Sequence, residues 1–389
     1  MTRTHWDNCI AHFDQAVETF VGEYFGNKDR RCLLVAAAGF DPRSRRIAEL
    51  LADQMGDRLQ AFFVREERGR PDTGLAAAAD ANETRLRSLV PDCKVVRIDV
   101  FGDDGAPVGG PRMARLVSDL VLPPEITDVV LDMTAFSVGI AFPAARILLE
   151  GCERNGRRSF HVMVSSNPEL ESRIVAEHGG RPMAVRGFAG TDILSETLDV
   201  ARMWIPQLAP GNASVSALDQ IGRSLGQCYK ICPALPFPSR DPRRSDALVA
   251  EYGKALVDEW QVDPRDLVHL SERNPLDSYR TLSTLARRYR KAVENVFAPV
   301  IVVSPMGGRV MAIGAFMAAI EHGLAVSYVE TVRYEFDASG PFDDEPPDTL
   351  LHVLLSGPAY GDYDDAIDEL TAAGPPWASG NGTAAGERT

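Results

Sequence analysis

The sequence predicts an α/β protein built as two tandem parallel sheets flanked by helices, one sheet a pseudo-duplicate of the other. Three observations predict it. Short, nearly continuous apolar runs alternate with helical patterns along most of the 389 residues, as strands buried on both faces of a parallel sheet should. Cys32 is followed nine positions later by Asp41-Pro42-Arg43, and Cys232 nine positions later by Asp241-Pro242-Arg243, each triplet opening a helix. Two strand-loop-helix units ending in glycine, Val129 to Gly151 and Ile301 to Gly323, then follow in the same order. The first pair is offset by 200 residues and the second by 172, so a duplication on this alignment requires a loss of about 28 residues from the second copy. A repeated folding unit is a statement about architecture.

The elements follow in order. Residues 1–26 form an N-terminal helix, because Trp6, Ile10, Phe13, Val17, Phe20 and Val21 recur near helical spacing between Thr4 and Gly26. Residues 27–190 form a first Rossmann-like domain with strands CLLVAAA, LQAFFVRE, KVVRIDV, VVLDMT and SFHVMVSS, expected in the order 3-2-1-4-5. Helices lie between them after Arg43, near Asn82 to Leu89, near Pro111 to Leu120, and up to Leu149. Residues 191–226 read as linker and junction, with a helix near Thr191 to Trp204 and then Pro206, Pro210 and Gly211. A second Rossmann-like domain, 227–370, has strands ICPALPF, LVHLSE, VIVVSP and AVSYVE and a last strand, TLLHVLLSG, after the acidic FDDEPPD loop. Its helices run from about Ser245 to Glu259, from Leu276 to Phe297, and up to His322. The 371–389 tail is too polar and Gly-rich to bury a core and is expected to be disordered.

Composition bounds the function. A hydrophobic content of 45% supports packed cores. The net charge of −14 disfavours bulk nucleic-acid binding, although a local cationic pocket is allowed. Only five of the 41 basic residues are lysine, and arginine forks suit phosphate and carboxylate. Six scattered cysteines and the lack of a signal-peptide pattern point to the cytoplasm. Cys228-x-x-x-Cys232 has no second ligand pair, so no metal is expected, and no cofactor is predicted. The longest apolar run, Ala312 to Ile320, is too short to cross a bilayer.

Ligands of open parallel sheets bind outside the carboxyl ends of the strands, where the strand order reverses. Four loops qualify: GFDPRS with Asp41 and Arg43, DMTAFSVG with Asp132, Thr134 and Ser137, FPSRDPRRS with Asp241, Arg243 and Arg244, and SPMGGRV with Ser304, Gly307, Gly308 and Arg309. Asp-Pro alone reads as an N-cap followed by proline at the first helical position. Arginines at a helix N-terminus gain no dipole benefit and are more comfortable with an anion present. Consecutive glycines free backbone amides to approach an anion. Asn274 and Arg280 are second-rank candidates at a strand end. Asp132 is a ribose or base acceptor, a buried helix cap, or, with Asp41, an acid/base carboxylate.

At SPMGGRVMAIGAF, followed by a helix and AVSYVET, the sequence resembles the CARF and SAVED sensor domains of prokaryotic antiviral defence. That resemblance implies a Rossmann-like sheet whose glycine-rich loop, here Gly307, Gly308 and Arg309, meets the phosphates of a cyclic oligonucleotide. Where the family pattern has Thr-Lys after the glycines, this chain has Arg309-Val310. The expected function is a cytoplasmic sensor or accessory protein that binds a nucleotide-like phosphorylated ligand between its halves and signals to a protein partner. The alternative is an enzyme acting on a nucleotide-like substrate with Asp132 or Asp41 as acid or base.

Overall fold

The computed structural model describes residues 6–69, 72–190, 199–336 and 349–360. Residues 191–198 of the expected junction helix, the FDDEPPD loop and the 371–389 tail lie outside them. Two seven-stranded mixed sheets are present. The first half runs through β1 (Ala11–Phe13), α1 (Gln15–Phe20), β2 (Cys32–Ala37), α2 (Arg46–Met55), β3 (Leu59–Glu67), α3 (Thr73–Leu89), β4 (Cys93–Asp99), α4 (Gly109–Ser118), β5 (Asp128–Asp132), α5 (Val138–Asn155), β6 (Ser159–Ser166), α6 (Pro168–Arg173) and β7 (Ile174–Ala184). The second half runs through β8 (Val200–Gln207), α7 (Asn212–Leu225), β9 (Lys230–Ile231), β10 (Ala234–Pro236), α8 (Arg244–Glu251), β11 (Val268–Leu270), α9 (Pro275–Val293), β12 (Ala298–Pro305), α10 (Arg309–His322), β13 (Ala325–Phe336) and β14 (Thr349–Ser356).

The expected order 3-2-1-4-5 appears in the first sheet as β4-β3-β2-β5-β6, all parallel. The same order appears in the second as β11-β10-β8-β12-β13. Each sheet is then extended by an antiparallel strand contributed by the other half. β7, which follows β6 in the chain, pairs with β13, while β14, which follows β13, pairs with β6. The halves exchange their sixth strands reciprocally.

This topology revises the alignment of the halves. Leu33 pairs with Val129 in the first sheet as Met203 pairs with Ile301 in the second. Ala37 pairs with Val64 as Gln207 pairs with Ala234. Equivalent positions therefore lie 170 to 172 residues apart at the centre of the sheets, and no large deletion is needed. The first Asp-Pro-Arg follows β2, the central strand of its sheet, whereas the second follows β10, the neighbour of the central strand β8, so the two triplets are not equivalent. They share a local cause. Asp41 accepts from the Arg43 amide at 3.0 Å, Asp241 from Arg243 at 2.9 Å, and the same word recurs a third time where Asp263 accepts from Arg265 at 2.9 Å. Asp-Pro-Arg here is a capping unit with proline at the first helical position.

Three further expectations are corrected. The stretch read as linker contains β8, the central strand of the second sheet, with Trp204 and Ile205 fully buried. The last strand belongs to the first sheet. The N-terminal segment is not one helix: β1 pairs antiparallel with β14, and Trp6 donates its Nε1–H to the Leu355 carbonyl at 2.8 Å. An edge strand with unpaired amides on β14 offered that segment a better partner than its own turns.

One hydrophobic core runs through both halves. The equivalent helices α5 and α10 meet there, Phe142 edge-on to Phe316 at 5.4 Å with Phe188 beside both. Helices approach closely at glycines. A Cβ on Gly314 would stand 2.6 Å from the Pro275 carbonyl oxygen of α9, and one on Gly110 would stand 2.6 Å from the Gly139 carbonyl oxygen of α5. Because each sheet is completed only by the other half, the halves are expected to fold together. Fragments ending at residue 190 and beginning at residue 199 should be unfolded when expressed separately and should co-purify as a 1:1 complex when co-expressed. A separately folded, monomeric fragment on size exclusion with a cooperative melt would contradict the exchange.

Candidate functional site

A cleft of about 590 Å³ lies between the halves. Its floor is made by the loops after the two central strands of each sheet: Gly39 to Arg43 and Ala135 to Val138 from the first half, Ala209 to Ser214 and Pro305 to Arg309 from the second. Both switch points therefore open into one space, as the strand order dictates. The walls come from the end of β3 (Val64 to Arg68), from β7 and from β13. β13 carries two register irregularities around Thr331, which turn Glu330, Thr331 and Tyr334 toward the cleft.

At the first switch point the donors are occupied by the protein's own carboxylates. Asp41 takes the Arg43 amide and, through both oxygens, the Arg43 guanidinium at 3.0 and 2.6 Å. The same guanidinium reaches Glu171 at 2.6 Å. Burial resists ionisation of Asp41, but the charge and hydrogen bonds of Arg43 outweigh it and hold the carboxyl below its ordinary range. The amide of Ser137, at the start of α5, donates to Glu66 at 3.0 Å. Asp132 lies sealed beneath, 1% exposed, accepting from the Thr134 amide at 2.9 Å through Oδ1 while Oδ2 has no partner. Burial, with the Asp41 charge adding to it, pushes the Asp132 carboxyl up to about 7 against the pull of Thr134 and Arg43.

The second switch point has no such carboxylates on its loops. At the positions equivalent to Asp41, Glu66 and Asp132 stand Gly211, Pro236 and Ser304. Neither α7, which begins after Gly211, nor α10, which begins after Gly308, has a side-chain cap. Glu251 takes the Gly211 amide at 2.7 Å, and Asn212 and Ala213, in the first turn of α7, line the cleft. Among the described residues Arg309 makes no hydrogen bond or ion pair; the other arginines of the cleft are all paired, Arg65 with Glu67, Arg68 with Glu66, Arg244 with Glu272 and Arg333 with Glu177.

The sequence candidates divide accordingly. Asp41, Arg43, Ser137, Arg244, Gly307, Gly308 and Arg309 line the cleft. Asp132 and Thr134 are buried behind it. Ser304 is also buried, its hydroxyl accepting from Trp204 Nε1 at 3.0 Å. Asp241 and Arg243 are exposed cap residues outside the lining. Asn274 caps α9, and Arg280 donates to the Asp7 carbonyl, both away from the cleft. Sequence reading missed Ala209 to Ser214, whose Pro-Gly looked like a linker, and the acidic residues at the end of β3, where the charged run REER directly after a buried strand was the available signal. It also missed His178, a cleft residue that burial keeps neutral and whose Nδ1 lies 3.4 Å from the Thr331 hydroxyl. Among the described residues there is no metal-ligand cluster and no helix long and apolar enough to cross a membrane.

The fold and cleft define a pseudo-duplicated, Rossmann-like α/β protein with a composite cleft. No protein-family model and no curated protein matches the sequence. Solved structures with partial likeness include a riboflavin-derivative dimethyltransferase from Streptomyces davawensis (14% identity, 39% of this chain and 36% of that one, TM-score 0.22). They also include a putative rRNA methylase from Clostridium thermocellum (9%, 46% and 75%, 0.23) and the cytoplasmic domain of a prokaryotic cation chloride cotransporter (11%, 77% and 95%, 0.22). The match spans about a third of the dimethyltransferase. Likenesses of this extent carry no function to this chain.

Two expectations follow from the geometry. Asp132 keeps its proton to about pH 7 when folded, whereas an unfolded aspartate ionises near its ordinary 3.8. Between those values the unfolded chain holds fewer protons, so this group lowers stability as pH rises, by up to about 1.4 kcal/mol per pH unit. Asp132→Asn should flatten that slope in urea titrations at pH 5, 6, 7 and 8 and leave the variant relatively more stable at pH 8; parallel profiles would refute it. A Cβ on Gly139 would meet the Tyr328 hydroxyl at 2.1 Å. Gly139→Ala should therefore cost about 1–3 kcal/mol by denaturant titration, and an unchanged midpoint would show that Tyr328 has room to move.

Proposed function

We propose that the protein binds a nucleotide-like phosphorylated ligand in this cleft, with its phosphate on the second half, and acts as a sensor or accessory protein that passes occupancy to a partner. This role is the one suggested by the CARF and SAVED resemblance of the SPMGGRV loop. The reading rests on one comparison within the molecule. The first switch point fills its anion positions with Asp41 and Glu66, above the buried carboxyl of Asp132, and the second has no acidic residue at any of the three equivalent positions while keeping two uncapped helix N-termini and Arg309, which has no hydrogen bond or ion pair among the described residues. Helix N-termini with free amides and a guanidinium favour a phosphate from solution. The enzyme reading has less support, because both oxygens of Asp41 are bonded to Arg43 and Asp132 does not reach the cleft.

Thermal shift and calorimetry with pyrophosphate and mononucleotides test it. Arg309→Ala should weaken binding about tenfold or more, the loss of a charged hydrogen bond. Gly308 has a helix-compatible N-cap backbone, φ −57°, and a Cβ added there would have nothing within 4 Å. Gly308→Asp should imitate the first half, abolishing phosphate binding while stabilising α10 by roughly 0.5–2 kcal/mol. Phosphate-dependent stabilisation that survives both substitutions would reject the site.

A further inference from the structure

Resting on that reading, we infer that the first-half wall of the cleft recognises an amino-bearing nucleobase, guanine best, so that the ligand class is a guanosine 5′-phosphate. The wall is acidic and desolvated. Arg68 bridges Glu66 at 2.9 Å and Glu330 at 3.3 Å, and its Nε donates to the Thr331 carbonyl at 2.9 Å. Two carboxylates thus share one guanidinium in a setting where Arg68 and Glu66 are each 9% exposed and Glu330 only 2%. Burial, the nearby Glu66 charge adding to it, pushes the Glu330 carboxyl up despite Arg68, the Thr331 amide and the Tyr328 hydroxyl. Among the described residues no unpaired cation lies on this wall: Arg65 is held by Glu67, Asp80 and Glu83, and Arg333 by Glu177 and Glu335. Such a surface takes donors from a ligand and repels a second phosphate.

Ser137 supplies the second observation. It is 8% exposed and lines the cleft, its amide donates to Glu66 Oε1, and its hydroxyl oxygen, itself buried, has no hydrogen-bond partner. A carboxylate with vacant acceptor positions beside an unused hydroxyl forms an acceptor-donor pair. Glu66 accepts one bond on each oxygen, about half of what a carboxylate can take. Guanine matches this pair with two adjacent donors, N1–H and the 2-amino group, and the O6 acceptor beside them. Adenine and cytosine offer one amino donor with a neighbouring acceptor, and uracil offers only its single N3–H between two carbonyls. The cavity of about 590 Å³ is of the size that holds a mononucleotide-sized ligand.

Isothermal calorimetry on the full chain with GMP, AMP, CMP, UMP and inorganic phosphate decides the matter. GMP should bind about tenfold or more tightly than UMP, one buried hydrogen bond to a charged group, with AMP and CMP between. Ser137→Ala removes a hydroxyl that holds nothing else, so the melting temperature should stay put while the GMP-to-UMP ratio falls. Glu66→Gln should abolish most of the ratio. Equal affinity for GMP and UMP, with both displaced by phosphate and lost in Arg309→Ala, would overturn the base assignment and leave the phosphate site standing. Failure of every nucleotide and of phosphate to bind folded wild-type protein would overturn the proposed function itself.

Discussion

The reciprocal exchange of β7 and β14 is the constraint on which the remaining geometry depends. A doubly wound sheet ending at its fifth parallel strand leaves one edge with unsatisfied amides and carbonyls, and each half covers that edge with a strand from the other. The two sheets are thereby fixed with their switch points facing, which a flexible linker between independent domains would not achieve. β7 and β13, one strand from each half, are paired along much of their length and form a wall of the cleft. The wall of the cleft and the relation of the halves are therefore parts of one hydrogen-bonded structure.

The exchanged strand β14 is held by polar as well as apolar contacts. His12 on β1, His352 on β14 and His161 on β6 form a line that ends on Asp128 of β5, with successive ring-nitrogen contacts of 3.0 and 2.8 Å and a final contact of 3.1 Å to the carboxylate. Asp128 also accepts from Tyr24 at 2.9 Å and Thr127 at 2.5 Å. One set of neutral tautomers fits the line, His12 donating to His352, His352 to His161 and His161 to Asp128. Burial, together with its two histidine neighbours, holds His352 well below its ordinary range, in keeping with a neutral ring. A fully satisfied buried network specifies register more sharply than apolar packing alone, and register is what an exchanged strand most needs.

Strand identity and order were legible where the apolar runs were long. CLLVAAA, LQAFFVRE, VVLDMT and SFHVMVSS all form strands at the expected places, and the chirality of βαβ connections left little choice of order. The misreadings have physical causes. VARMWIPQ reads as linker because Pro206 and Pro210 are poor strand residues, yet Pro206 sits at the end of β8, where the chain leaves the sheet for the cleft. TLLHVLLSG reads as part of the nearer half because sequence distance normally predicts spatial neighbourhood, and strand exchange is what breaks that rule. The Asp-Pro-Arg pair misled because a cap motif is local: it reports how a helix begins and carries no information on which helix.

The cleft loops were legible for the same reason that the capping word was deceptive. Gly307-Gly308 after a buried strand marks a place where the backbone is left bare, and the structure puts it in the cleft. What no single-residue reading could supply is the charge balance, since Arg43 and Arg309 look alike in sequence. Arg43 is closed off by Asp41 and Glu171, whereas among the described residues Arg309 makes no hydrogen bond or ion pair and meets a carboxylate only through the charge of Asp41. One switch point is thus an internal salt-bridge cluster, the counterpart of the proposed anion site with the anion built in. The retained cluster makes the first half rigid and acidic, and the emptied one makes the second half receptive, so any anion entering the shared cleft meets attraction on one side and repulsion on the other. In the proposed complex that contrast would fix the orientation of the ligand before any base-specific contact is made.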